Sequence, residues 1–238
     1  MLWADTFTDG LDTQIAHAAA ALLEDAGYSV IVPDRAVCCG LTWITTGQLS
    51  AARRRLRAAV DVLSPFAAEG TPVVGLEPSC TAVLRSDLAD LLPDDPRARR
   101  LAKNTFTLAE FLTAPRAPHA GRWAPPRLDG VDVVAQPHCH QHSVMGWRID
   151  EALLTTAGAS VTRIAGCCGL AGNFGMEKGH YDVSVAIAEH GMLPALRAAP
   201  ESVVFLADGF SCRTQAEQLA GRRGLHLAQL LASRLPGR

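Results

Sequence analysis

The feature that most constrains this chain is an order of segments that occurs twice. In the first half an apolar start at residues 1–4 leads through the helix-like "DTQIAHAAAALLEDAG" to "YSVIVP" and then to Cys38-Cys39-Gly40. A long helical stretch, "GQLSAARRRLRAAVDVLSPFAAEG", follows, then a strand-like "PVVGLEP" and Cys80 at the turn into another helix. The second half repeats the order with "VDVVAQPHC", the helix "DEALLTTAG", "ASVTRIAG", Cys167-Cys168-Gly169, the helix "HYDVSVAIAEHGMLPALRAA", the strand "SVVFLADG" and Cys212. Cys39 and Cys80 lie 41 positions apart and Cys168 and Cys212 lie 44 apart, close enough for two copies of one unit.

Within each copy, short β-branched runs alternate with amphipathic helices, the pattern of a small parallel sheet flanked by helices. The expected fold is therefore α/β, in two tandem similar lobes related by a pseudo-two-fold axis. Residues 1–112 form the first repeat and 131–238 the second. Residues 113–130 are rich in Pro, Gly and Arg without periodicity and read as a linker.

Composition narrows the function classes. A net charge of −2, with no block of Lys or Arg, gives no footprint for nucleic acid or an anionic membrane. No segment approaches the length of an apolar membrane span, and Asp5 and Asp9 stand where a signal peptide would be apolar, so a cytoplasmic chain is expected. Seven cysteines, an odd number without an export signal, point to metal binding or redox chemistry rather than a disulfide framework.

The positions of the cysteines say more than their number. Cys38, Cys39, Cys80, Cys139, Cys167, Cys168 and Cys212 each follow a predicted strand, at the sheet edge where α/β folds gather ligands, and none falls on a mid-helix core face. A single zinc ion usually takes cysteines two to four residues apart, since adjacent side chains diverge. A multinuclear iron–sulfur centre offers neighbouring thiolates different irons, so a vicinal pair in a glycine-permitted turn leans that way; zinc held by one cysteine of each pair stays open.

These residues resemble a known family, the cysteine-rich CCG domain. It is found in a subunit of heterodisulfide reductase, the iron–sulfur subunit of glycolate oxidase and lactate-utilisation proteins, normally as two tandem copies. The strings "GTPVVGLEPSC", "HCHQHSVMG", "GCCGLAGNFGMEKGHYDVSVAIAEHGMLPAL" and "ADGFSCRTQ" are similar to the C-terminal part of fused FAD-linked oxidase/iron–sulfur D-2-hydroxyacid dehydrogenases. The resemblance implies an iron–sulfur cluster, 4Fe-4S in type, on Cys139, Cys167, Cys168 and Cys212. The first half supplies Cys38, Cys39 and Cys80, with Asp5 as the nearest candidate oxygen ligand where a fourth cysteine would sit. Neither half ends in Cys-x-x-Cys, a departure from the heterodisulfide reductase pattern that weakens heterodisulfide chemistry as a reading.

His138, His140 and His142 surround Cys139 and in isolation could ligate zinc. Within the resemblance they hydrogen-bond thiolates or meet substrate or partner. Asp208 and Gly209 before Cys212, and Glu77 and Pro78 before Cys80, occupy matching places in the two repeats and are read as shaping those turns, with catalysis by Asp208 the weaker alternative. The glycines of "CCGLAGNFG" do not have dinucleotide-loop spacing.

Two function classes result: an electron-transfer module of an FAD-dependent dehydrogenase acting on D-lactate, glycolate or D-2-hydroxyglutarate, or a zinc-binding domain that is structural or shapes that enzyme's pocket. In both, FAD belongs to a partner portion, fused or separate, together with a ferredoxin-like segment, and the chain alone is expected to be inactive.

Overall fold

A computed structural model describes residues 1–113 and 123–236 of the chain, so residues 114–122 of the expected linker lie outside the described residues. The chain divides into two compact units, Met1–Trp123 with Ser143–Met145, and Ala124–His142 with Gly146–Arg238. Each is a three-stranded parallel sheet with helices around it, which is the expected α/β class.

In the first unit, β1 (Leu2–Trp3), β2 (Val73–Gly75) and β3 (Thr105–Thr107) lie in the order β1-β2-β3. Helices α1 (Thr6–Gly10) and α2 (Thr13–Asp25) follow β1, and α3 (Leu41–Thr45) and α4 (Leu49–Ala68) precede β2. Next come α5 (Pro78–Arg85), α6 (Asp87–Leu91) and α7 (Pro96–Lys103), and α8 (Leu108–Thr113) follows β3. The helix α4 forms because Ala52, Leu56, Ala59, Val60, Leu63 and Ala67 recur at helical spacing and are all buried, while its arginines occupy the other faces. That buried stripe joins Trp3, Val73, Val83 and Leu101 in one core, and Cys39 and Cys80 belong to the same core.

In the second unit, β4 (Asp132–Ala135), β5 (Ser160–Arg163) and β6 (Val204–Leu206) lie in the order β5-β4-β6. A π-helical turn, Gln141–Met145, and α9 (Arg148–Thr156) follow β4; α10 (Tyr181–Glu189) and α11 (Met192–Ala198) precede β6; α12 (Phe210–Ala220) and α13 (Leu227–Ala232) complete the chain. Its core gathers Val134, Ile164, Met192, Leu193, Leu196 and Phe205, with Cys168 and Cys212 among them.

The sheets differ in name more than in path. "YSVIVP" forms no strand: Ile31 and Val32 are exposed, and the segment touches the sheet through one bond, Leu2 N–H donating to the Ile31 carbonyl at 2.8 Å. Its counterpart "ASVTRIAG" pairs fully with β4. At the opposite edge β3 corresponds to a single parallel bridge between Leu206 and Leu225. The expected long helix after Cys168-Gly169 is broken into α10 and α11, because Gly191 passes so close to the Ala165 carbonyl that a Cβ there would lie 2.3 Å from its oxygen.

Candidate metal centre

The register of each sheet shows which residues occupy equivalent places at the two cysteine turns. Six residues before Cys80 is Val74, which pairs with Leu2; six before Cys212 is Leu206, which pairs with Ala135. Four residues on from Leu2 is Thr6, and four on from Ala135 is Cys139. Thr6 therefore stands where the first unit would need a fourth cysteine, and Asp5 occupies the position that His138 has in the second unit. The same count matches Glu77 with Gly209. It also matches Thr107 with His226, and these two head equivalent helices: Thr107 and Glu110 cap α8 reciprocally, as His226 and Gln229 cap α13.

Both vicinal pairs sit in the same kind of turn. Gly40 and Gly169 adopt left-handed backbone, φ 78° and 87°, and each N–H donates back to the sulfur two residues earlier, Gly40 to Cys38 at 3.5 Å and Gly169 to Cys167 at 3.3 Å. At Gly169 a Cβ would lie 2.0 Å from the Ser184 carbonyl, so this turn is pressed against α10. Cys80 and Cys212 each occupy the third position of a helix, α5 and α12, where the helix field favours negative charge.

In the second unit Cys139 donates to Cys167 at 3.4 Å, and Cys168 and Cys212 lie together in the buried core beside them. Cys167 is the sulfur at which charge collects: the bonds from Cys139 and Cys168, with the Gly169 N–H, hold its thiol well below the usual range. Cys139 is pushed up because it donates to Cys167, and Cys168 because it bonds Cys167 and Cys212 and is buried. His138, 7% exposed, is lowered to about 4 by burial and so stays a neutral imidazole; its Nδ1 accepts from the His140 N–H at 3.2 Å and its Nε2 lies 3.4 Å from Ser211 Oγ. The ring packs so closely on Gly209 that a Cβ there would lie 2.2 Å from His138 Cδ2.

In the first unit Cys39 donates to Cys80 at 3.1 Å, and the Cys38 sulfur accepts from the Gly40 N–H at 3.5 Å. All three thiols are raised. At Cys80 the bond from Cys39 favours the thiolate, but burial and the carboxylates of Asp5 and Glu77 outweigh it. Asp5, 1% exposed, caps α1: Oδ1 accepts from the N–H groups of Phe7 and Thr8, and Oδ2 from the Thr8 hydroxyl and the Glu77 N–H. Its oxygens are thus committed to backbone and hydroxyl donors. Glu77 caps α5 and accepts from Ser79 Oγ at 2.8 Å.

The remaining predicted residues take supporting places. Asp208 Oδ1 accepts from the Leu227 N–H at 2.7 Å and lies 3.6 Å from His226 Nε2, so it anchors the start of α13. His142 is exposed, and the His140 ring lies 5.4 Å from that of His138. Thr6 and Ser211 do not stand out in the sequence; counting from Cys80 and Cys212 along paired strands is the signal that finds them, whereas Gly209 is already legible beside Asp208. Gln136 is another, its amide donating to the Gly166 carbonyl just before Cys167.

The donor set decides which cofactors fit. All seven cysteines are free thiols. The second unit brings four soft sulfur donors together, a set suited to an iron–sulfur cluster or zinc. Among the described residues no three His, Cys, Asp or Glu side chains are already grouped to hold a metal ion, so the sulfurs must spread from their mutual hydrogen bonds to bind one. The first unit, with Thr6 in the fourth place, does not fit a four-cysteine centre.

A family model described as a cysteine-rich domain, CCG, matches residues 6–85, which runs from Thr6 to the end of α5. The chain is 28% identical over 228 residues to a subunit of the anaerobic glycerol-3-phosphate dehydrogenase of Escherichia coli K12, covering 93% of this chain and 55% of that protein. Against lactate utilization protein A of Bacillus subtilis strain 168 it is 24% identical over 259 residues, covering 98% of each. Against D-2-hydroxyglutarate dehydrogenase of Escherichia coli K12 it is 26% identical over 232 residues, covering 95% of this chain but 22% of that one. The chain thus spans about half of the first relative, nearly all of the second and about a fifth of the third. No helix of the described residues is long and apolar enough to cross a membrane.

Proposed function

Starting from a chain that carries a cysteine-rich CCG domain, we propose that it is the iron–sulfur electron-transfer portion of a flavin-dependent dehydrogenase acting on a small hydroxy acid of the D-lactate, glycolate or D-2-hydroxyglutarate type. The observation that carries this reading is the gathering of four cysteines in the second unit, with the Cys139 and Cys167 sulfurs 3.4 Å apart and Cys168 and Cys212 in one buried core. Those four would hold the cluster, 4Fe-4S in type. When bound, it would supply one-electron chemistry to which side chains alone have no equivalent.

The chain's own residues do the rest. Gly169 N–H and the thiols of Cys139 and Cys168 stabilise negative charge on Cys167, which prepares that sulfur as a ligand. His138 remains neutral and fills the space above Gly209, fixing the approach of β4 to α12 without adding charge beside the thiolates. Gln136 ties the strand end to the loop that presents Cys167.

Hydride abstraction from a hydroxy acid needs an acceptor such as a flavin, which belongs to a partner portion, fused or separate. The chain alone is expected to show no turnover of these acids with an artificial dye. In the combined enzyme, serine at Cys139, Cys167, Cys168 or Cys212 should slow reoxidation of reduced flavin by the natural acceptor more than flavin reduction by substrate. Stopped-flow measurement of the two half-reactions tests this; a loss confined to flavin reduction would assign the cysteines to the substrate pocket instead.

A further inference from the structure

We infer that Cys39 and Cys80 of the first unit form a reversible dithiol–disulfide couple, with Cys38 as the thiol through which a small-molecule disulfide enters. The two sulfurs lie 3.1 Å apart, so reaching a disulfide length of about 2.05 Å requires closing them by about 1 Å. Both side chains are buried, at 3% and 2% exposure, on the loop before α3 and in the first turn of α5, in a single apolar core that holds them together. Cys38 is half-buried and next to Cys39 in the chain, while Cys39 and Cys80 are buried, so Cys38 is the most accessible of the three thiols.

The surroundings favour this product over a bound cluster. Thr6 offers a hydroxyl where the second unit has Cys139, leaving three thiols instead of four. The Asp5 and Glu77 carboxylates lie near Cys80, so gathering three thiolates there concentrates negative charge, whereas a disulfide adds none.

In the exchange, the Cys38 sulfur attacks one sulfur of the incoming disulfide, of glutathione type, and one small thiol leaves. Cys39 then attacks Cys38 and expels the second small thiol. Cys80 attacks the Cys39 sulfur, forming Cys39–Cys80 and returning Cys38 as a free thiol. Two electrons and two protons pass from the two protein thiols to the small disulfide, which becomes two small thiols. The couple is independent of the metal centre proposed for the second unit, so either reading can fail without the other.

The test equilibrates the full chain, purified anaerobically, with oxidised and reduced glutathione at a series of ratios, quenches it in acid, alkylates it and maps the peptides by mass. A Cys39–Cys80 linked peptide should grow with the oxidised fraction and disappear on reduction, with two first-unit thiols lost and Cys38 still alkylated. Cys39 and Cys80 remaining alkylatable at every ratio, or disulfides confined to the second unit, would overturn the proposal. So would metal retained on the wild-type chain and lost on Cys39→Ser. Cys38→Ser should slow formation of the link several-fold while leaving its final extent unchanged; an unchanged rate would overturn the entry role of Cys38. Cys80→Ser should halt the sequence, leaving glutathione on Cys38 or a Cys38–Cys39 link, and an unmodified Cys38 in that variant would count against the route.

Discussion

The two cysteine turns share a backbone and differ in charge. Each has a left-handed glycine whose N–H bonds the first sulfur of the vicinal pair, and each sets its last cysteine at the third position of a helix. Around Cys80 lie two buried carboxylates, and every thiol of the first trio is raised. Around Cys167 lie a neutral imidazole, two thiol donors and a backbone N–H, and that sulfur is lowered. The exchange is also one of volume: a small Asp5 with a large Glu77 in the first unit, a large His138 with Gly209 in the second. A shared turn is thus kept while two matched buried positions change from a pair of carboxylates to an imidazole and a glycine.

The largest expected effect breaks the comparison outright. Cys168→Ser should remove most of the metal bound by the full chain, whereas Cys39→Ser should leave most of it, as measured by anaerobic metal analysis. A greater loss from Cys39→Ser would reverse the ranking of the two turns.

Thr6→Cys sharpens it from the other side. If Thr6 is what distinguishes the first trio, this substitution should increase metal retained per chain, and the increase should vanish in Thr6→Cys combined with Cys39→Ser. An unchanged metal content would move the distinction to the carboxylates of Asp5 and Glu77.

Stability comes next. Gly169→Ala should cost about 2–5 kcal/mol, a left-handed backbone penalty plus the overpacking of a Cβ against the Ser184 carbonyl. Gly40→Ala should cost only about 1–2 kcal/mol, since its nearest neighbour, Arg55 Cβ, lies at 3.3 Å against 2.0 Å at Gly169, which leaves mainly the left-handed backbone penalty. Denaturant unfolding of both variants checks the order, and equal losses would contradict the tighter packing of the second turn. An effect of about the size of Gly40→Ala is expected at Asp5: Asp5→Ala removes the cap of α1 and a partner of the Glu77 N–H, for about 1–2 kcal/mol by the same measurement.

Much of the fold is legible in the sequence because periodicity reports burial. The stripe along α4 and the β-branched runs of β4 and β6 are visible, since each faces a core on a regular spacing. "YSVIVP" has strand composition but exposes Ile31 and Val32 and shares one bond with β1, which propensity cannot reveal. β3 escapes a sequence reading because its three residues carry no period, although Asp95 and Pro96 mark the start of α7 just before it. At the site, the sulfurs are conspicuous because vicinal cysteines are rare and their spacing repeats. Thr6 is not, because what singles it out is strand register, and the packing of His138 on Gly209 is likewise not written along the chain.

The central claim is that the four sulfurs of the second unit hold an iron–sulfur centre. Iron, zinc and acid-labile sulfide should be measured on the full chain purified without oxygen, together with its visible spectrum before and after dithionite. Iron with matching sulfide, and colour that bleaches on reduction and is lost in Cys168→Ser, is the predicted result. Zinc without sulfide on a colourless chain, bound through those same cysteines, would contradict it.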